Sequence, residues 1–171
     1  RIKESHDAIK ARVPELIVNM TSALGPGATP ELRLEQMEAV RPEMSSLNMA
    51  TMNFAAVNRK TGEVLVDYTF ENSLIMVAKF AARMKEIGTK PEIEVYSSSG
   101  IDNYHAIAGS GSFTEPVNFN FVWGVCGGNS FRPGTFIAMA SSLPPGANFT
   151  TCGVGNDEWP AITQSILCGG H

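Results

Sequence analysis

The sequence predicts an α/β fold of parallel strands joined by crossover helices, and three observations carry that prediction. Apolar runs of strand length alternate with longer stretches whose apolar residues recur at helical spacing, and five such strands can be counted. Strands separated by helices of this length need right-handed crossovers, so the sheet is either doubly wound or part of a barrel. The chain also opens inside a helix and closes where a further strand would start. Its 171 residues are about two-thirds of the roughly 250 that a (β/α)8 (TIM) barrel takes. The expectation is one partial TIM-barrel domain over residues 1–171, holding five central βα units with the flanking strands missing.

Each element has its own signal. Ile2, Ala8, Ile9 and Val13 form a loose apolar stripe that Pro14 ends. Residues 15–21, ELIVNMT, read as a strand. After Gly25-Pro26-Gly27, Thr29 can cap a helix whose first position is Pro30, and Leu34, Met37 and Val40 supply its apolar face. A strand is expected from Met44 to about Asn53, followed by a hairpin that turns at Lys60-Thr61-Gly62. Leu74, Val77, Ala78, Ala81 and Met84 define a helix over 72–87, with Gly88 suited to the left-handed position beyond it. Next come a strand at 91–96, a short helix around 104–108 and a strand at 117–125 that enters Gly127-Gly128. A helix from Pro133 to Ser142, a strand at 148–153 and a last helix from Trp159, ended by Gly169-Gly170, complete the chain.

Composition excludes several functions. The net charge of −4 and pI near 5.4 leave no basic stripe of the kind a nucleic-acid surface carries. No apolar run approaches the ~20 residues of a membrane span, and RIKESHDAIK lacks the apolar core of a signal peptide, so a cytoplasmic location is expected. Cys126, Cys152 and Cys168 are odd in number and lack CxxC spacing, and they read as buried thiols rather than disulfides or a zinc knuckle. His6, His105 and His171 lie on different elements without the paired spacing of a zinc site.

The strands divide into two unlike faces. Leu16, Val18, Met20, Leu47, Met49, Ile93, Val95, Phe119, Phe121 and Trp123 suit packing against helices. Ile17, Asn19, Thr21, Met44, Ser46, Asn48, Glu92, Glu94, Tyr96, Asn118 and Asn120 make the other face too polar for the branched apolar layers that normally fill a barrel. Buried hydroxyls and carboxamides need partners, so this face calls for a ligand or a polar network. Glu94, between Ile93 and Val95, should be buried, and a buried carboxylate needs a cation, a metal or several donors. The Gly-rich 124–128 segment could bring backbone amides to an anion.

RPEMSSLNMATMNF, KPEIEVYSSSG, FNFVWGVCGG, LPPGANFTTCGVG and the closing GGH, in this order and spacing, resemble the beta-keto acid cleavage enzymes. The resemblance implies a zinc-dependent barrel that exchanges acyl groups between a beta-keto acid and acetyl-CoA by a retro-Claisen route, with this chain supplying strands three to seven of a homo-oligomer. It implies further that Thr21 and Ser46 contact the keto acid and that Glu94 orients it or accepts a proton; Asn48 and Asn120 of the polar face, and Asn156 after the GVG turn, are expected to bind substrate beside them. The zinc ligands of the family, a His-x-His and a Glu in an RVGxED segment, match nothing in these residues and are expected before Arg1 and after His171. Asn156 stands where the family commonly has an arginine, which implies either a shifted substrate or lost activity. The alternative reading is a truncated, inactive relative that at most binds a small acid.

Overall fold

The computed structural model describes residues 1–171. The chain forms α1 (Ile2–Arg12), β1 (Asn19–Met20), α2 (Pro30–Val40), β2 (Met44–Asn48), β3 (Met52–Asn58), β4 (Glu63–Phe70) and α3 (Leu74–Ile87). It continues through β5 (Lys90–Val95), α4 (Ser98–Ile107), β6 (Asn118–Trp123), α5 (Pro133–Ser141), β7 (Asn148–Gly153) and α6 (Glu158–Leu167). Five strands form one parallel sheet in the order β1-β2-β5-β6-β7, while β3 and β4 pair separately as an antiparallel hairpin. Each crossover strand thus lies beside its predecessor, and the sheet makes a half-barrel.

Local chemistry explains most boundaries. The Thr29 side chain accepts from the Leu32 N–H, Pro30 opens α2 and Ser73 caps α3 in the same way. Gly88 closes α3 in the left-handed region at φ +78°.

Four expectations need correction. Only Asn19–Met20 of the 15–21 segment is strand: this is the sheet edge, so pairing starts where Val18 O meets the Met44 N–H, and Leu16 and Ile17 stay exposed. The strand from Met44 stops at Asn48, because the Asn48 carboxamide oxygen takes the Ala50 N–H at 3.0 Å and turns the chain. The helix expected around 104–108 begins at Ser98, since Gly100 lets its first turn press against Val95, where a Cβ would come within 2.8 Å of a Val95 methyl. Cys152 and Cys168 are exposed rather than buried: one lies on an edge strand and the other follows the last turn of α6.

The core lies between the convex face of the sheet and the helices. Leu47, Met49, Ile93, Val95, Phe119, Phe121 and Trp123 pack with Met37, Val77, Phe80, Met84, Ile101, Tyr104, Phe136 and Met139 in one cluster. Edge-to-face contacts, such as Tyr104–Phe119 at 5.2 Å and Phe121–Phe136 at 5.5 Å, fill it. The opposite, concave face is left to the polar residues.

The hairpin is fastened to the loop after β6. Ala55 bridges to Cys126, Arg59 Nη2 donates to Gly124 O at 3.1 Å, and Gly127, at φ +96°, lies so close to the Asn53 carbonyl that no Cβ could be added. The hairpin therefore spans the C-terminal ends of the sheet.

Candidate active site on the concave face

Parallel register places the inward polar residues in rows. Ser46 pairs with Glu92, Glu92 with Asn118 and Asn118 with Asn148. One pleat nearer the C-terminal ends, Asn48 pairs with Glu94, Glu94 with Asn120 and Asn120 with Thr150. A third level brings Val122 opposite Cys152. Because the residues alternate along each strand, the same register that buries Ile93 and Phe119 against the helices forces Glu94 and Asn120 inward.

Glu94 is half-buried, more open than the sequence suggests, and no cation pairs with it directly. Its one side-chain hydrogen bond comes from the Tyr96 hydroxyl at 3.3 Å. Burial, reinforced by the neighbouring Glu92 carboxylate, pushes the Glu94 carboxyl up to about 7; the Tyr96 hydrogen bond and the more distant Arg33 charge pull only weakly the other way. Tyr96 is pushed upward as well, by burial and by Glu94, and so keeps its proton to donate. Burial and the two carboxylates likewise push the Cys152 thiol up, which keeps it neutral.

On either side of Glu94 in register, two polar atoms have no partner. Asn48 Nδ2 and Asn120 Oδ1 are both buried and unsatisfied. Such an atom costs roughly 1–3 kcal/mol. A donor and an acceptor without partners of their own thus flank a carboxyl that is close to half-protonated at neutral pH, the arrangement by which a candidate site is recognised.

Ser46 accepts the Ser22 N–H at 3.1 Å and keeps its own hydroxyl proton available. Thr21, by contrast, is exposed, and its hydroxyl accepts the Ala23 N–H in a local turn. It faces a groove of about 320 Å³ shared with Ile2, His6 and Ile9 of α1. The structure thus links Ser22, not Thr21, to the row. Asn156 is exposed after β7 and lines a separate trough of about 510 Å³ with Phe54, Arg59, Val125 and Cys126, beneath the hairpin. The Gly124 and Gly128 amides are spent on Asn129 O and Val125 O, which removes these two as donors to an anion.

Sequence reasoning passed over Arg33 and Asn72. Both are buried, and they meet at 3.1 Å behind Ser22. A signal existed: Arg33 occupies the apolar stripe of α2, four residues before Met37 and seven before Val40. Nowhere in these residues do three His, Cys, Asp or Glu side chains converge as metal ligands.

The signature of the beta-keto acid cleavage enzyme family matches residues 1–171. The 3-keto-5-aminohexanoate cleavage enzyme of Acetoanaerobium sticklandii is 34% identical over all of this chain, which covers 59% of that protein. The enzyme of the same name from Fusobacterium nucleatum is 31% identical, again over the whole chain and 58% of its own length. The 3-dehydrocarnitine:acetyl-CoA trimethylamine transferase of Rhizobium meliloti is 24% identical over 99% of this chain and 60% of its own. The chain therefore spans about three-fifths of the length of these curated relatives. Among solved structures, the binary complex of ObcA with oxaloacetate has the same fold, with a TM-score of 0.68 and 17% identity over 98% of this chain and 44% of that one. Matched along its entire length, the chain belongs to the beta-keto acid cleavage enzyme family.

Proposed function

We propose that these residues form the substrate-holding wall of a complete (β/α)8 barrel that transfers the acyl group of a beta-keto acid to coenzyme A, using acetyl-CoA as cosubstrate. The bond between the ketone carbon and the CH2 of the acid breaks, the released acyl group joins the thiol of CoA, and the acetyl group joins the CH2 to give acetoacetate. Family membership supports the reaction class, and the names of relatives carry both acetyl-CoA and a keto acid, as in the 3-oxoadipate:acetyl-CoA acetyltransferase of Cupriavidus necator at 26% identity.

The observation that carries the reading is the Asn48–Glu94–Asn120 row, with two unpartnered polar atoms beside a carboxyl held up to about 7. Asn48 Nδ2 donates to a substrate oxygen, Ser46 donates its hydroxyl proton, and Asn120 Oδ1 accepts from a protonated group. Glu94, poised near neutrality, orients the acid or takes and returns a proton. Thr21, which opens on the groove beside α1, and Asn156, in the trough beneath the hairpin, lie outside this row and take no direct part in holding the keto acid. In this reading a zinc ion would be held by residues outside the 171, where it would supply polarisation of the ketone; the 171 themselves bring no three ligands together. The same reading makes the protein a cytoplasmic homo-oligomer. Free cysteines agree with a reducing compartment, and the exposed Val64, Leu65 and Val66 of the hairpin offer apolar surface to a second copy.

The test is the complete protein incubated with acetyl-CoA and a panel of beta-keto acids, with acetoacetate and new acyl-CoA read by mass spectrometry. Glu94→Gln should abolish most turnover of the acid that is used while leaving the fold intact. Wild-type turnover by that variant would remove Glu94 from the chemistry, and no exchange with any acid would remove the reaction class.

A further inference from the structure

Arg33 sits where an apolar residue belongs. It is 4% exposed on the core-facing stripe of α2 and forms no ion pair. Burying a charge in this way costs several kcal/mol, which an apolar side chain of similar volume avoids. Every guanidinium nitrogen is nevertheless engaged. Nε donates to Ser22 O at 2.9 Å, Nη2 to Asn72 Oδ1 at 3.1 Å and Ser22 Oγ at 3.5 Å, and Nη1 to Glu71 O at 3.3 Å. Its Cζ lies 5.0 Å from the Phe80 ring centre and 5.2 Å from that of Phe70.

Two hydrogen-bonded chains run from this fork to the concave face. Through Ser22, whose N–H donates to Ser46 Oγ at 3.1 Å, it reaches the hydroxyl beside the row. Through Asn72, whose Nδ2 donates to Ala50 O at 3.3 Å, it reaches the residue whose N–H holds Asn48 Oδ1 at 3.0 Å and so aims the free Asn48 Nδ2. One planar cation thereby braces loops from three places in the chain: the β1–α2 loop, the β2–β3 turn and the exit from β4.

We propose that Arg33 is a positioning residue, holding Ser22 and Asn72 so that the Ser46 hydroxyl and the Asn48 carboxamide are aimed at the substrate. The inference rests on the reading above, that these two groups hold the keto acid. Lysine keeps the charge but cannot reproduce a fork that serves Ser22 and Asn72 at once, whereas methionine fills the volume with neither.

The experiment uses the complete protein with Arg33→Lys, Arg33→Met and Asn72→Ala, and reads KM and kcat for the keto acid together with amide hydrogen exchange at Ser22 and Ala50. Arg33→Lys should raise KM about tenfold with kcat nearly unchanged, the pattern of lost uniform binding. Both Arg33 variants should speed exchange at the Ser22 and Ala50 amides relative to the sheet, and Asn72→Ala should do so at Ala50 alone. Wild-type KM and exchange in a folded Arg33→Lys protein would overturn the proposal. If neither Arg33 variant folds, unchanged Ala50 exchange in Asn72→Ala overturns it. If wild type exchanges no keto acid, the reaction class falls and the amide exchange alone decides the role of Arg33.

Discussion

Glu94→Gln separates what the carboxyl does for function from what it costs the fold. In the folded protein burial and Glu92 hold this group at about 7, against an ordinary 4.5. Below about pH 4.5 the carboxyl is protonated in both folded and unfolded chains, and the substitution should change stability little. As pH rises, the unfolded chain ionises first and is favoured. The protonated native form thus loses stability progressively, until the folded group also ionises near 7. The interval from 4.5 to about 7 corresponds to about 3 kcal/mol, fully lost above neutrality. Glutamine keeps the shape without the charge, so the variant should gain on wild type by up to about 3 kcal/mol between pH 4.5 and 8, or roughly 6–12 °C in Tm for a chain of this size. Urea unfolding of both proteins at half-unit pH steps measures the gap directly. A gap that stays flat with pH would refute the claim that Glu94 is held protonated by its surroundings. A gap that grows while turnover collapses would be the signature of a destabilising group retained for chemistry.

Other substitutions probe neighbouring links. Asn120→Leu removes the unpartnered Oδ1 and should leave thermal stability unchanged or raise it by about 1 kcal/mol, while substrate affinity falls; a large loss of Tm would instead mark Asn120 as structural. Gly127→Ala puts a Cβ into the Asn53 carbonyl at φ +96°, so the clash adds to about 1–3 kcal/mol of backbone strain, and the hairpin should be released, seen as faster proteolysis at its 59–62 turn. Thr29→Ala loses the bond to the Leu32 N–H and should cost about 1 kcal/mol, read as a modest fall in Tm with activity preserved.

The sequence by itself determined the alternation of elements and which way the strands face. Helical spacing in 74–84, the Thr29-Pro30 start and the Gly88 stop are local chemistry, so they could be read without neighbours. Strict alternation placed Leu47, Ile93 and Phe119 on the helix side and Ser46, Glu94 and Asn120 on the other, as the structure has them. The structure departs from expectation for two reasons: β1 is short because it is an edge with no further strand beside it, and β2 stops because the Asn48 side chain turns back on Ala50, a local bond that apolar patterning does not register. Only the tertiary structure revealed that Asn48 and Asn120 flank Glu94, because register is set between strands some 26 to 46 residues apart. Only it showed that Arg33 reaches Ser22, 11 residues away, and Asn72, 39 residues away, in a single fork. Local propensity depends on a few residues in sequence, whereas the field around a buried carboxyl and the aim of a buried donor depend on whatever the fold brings beside them.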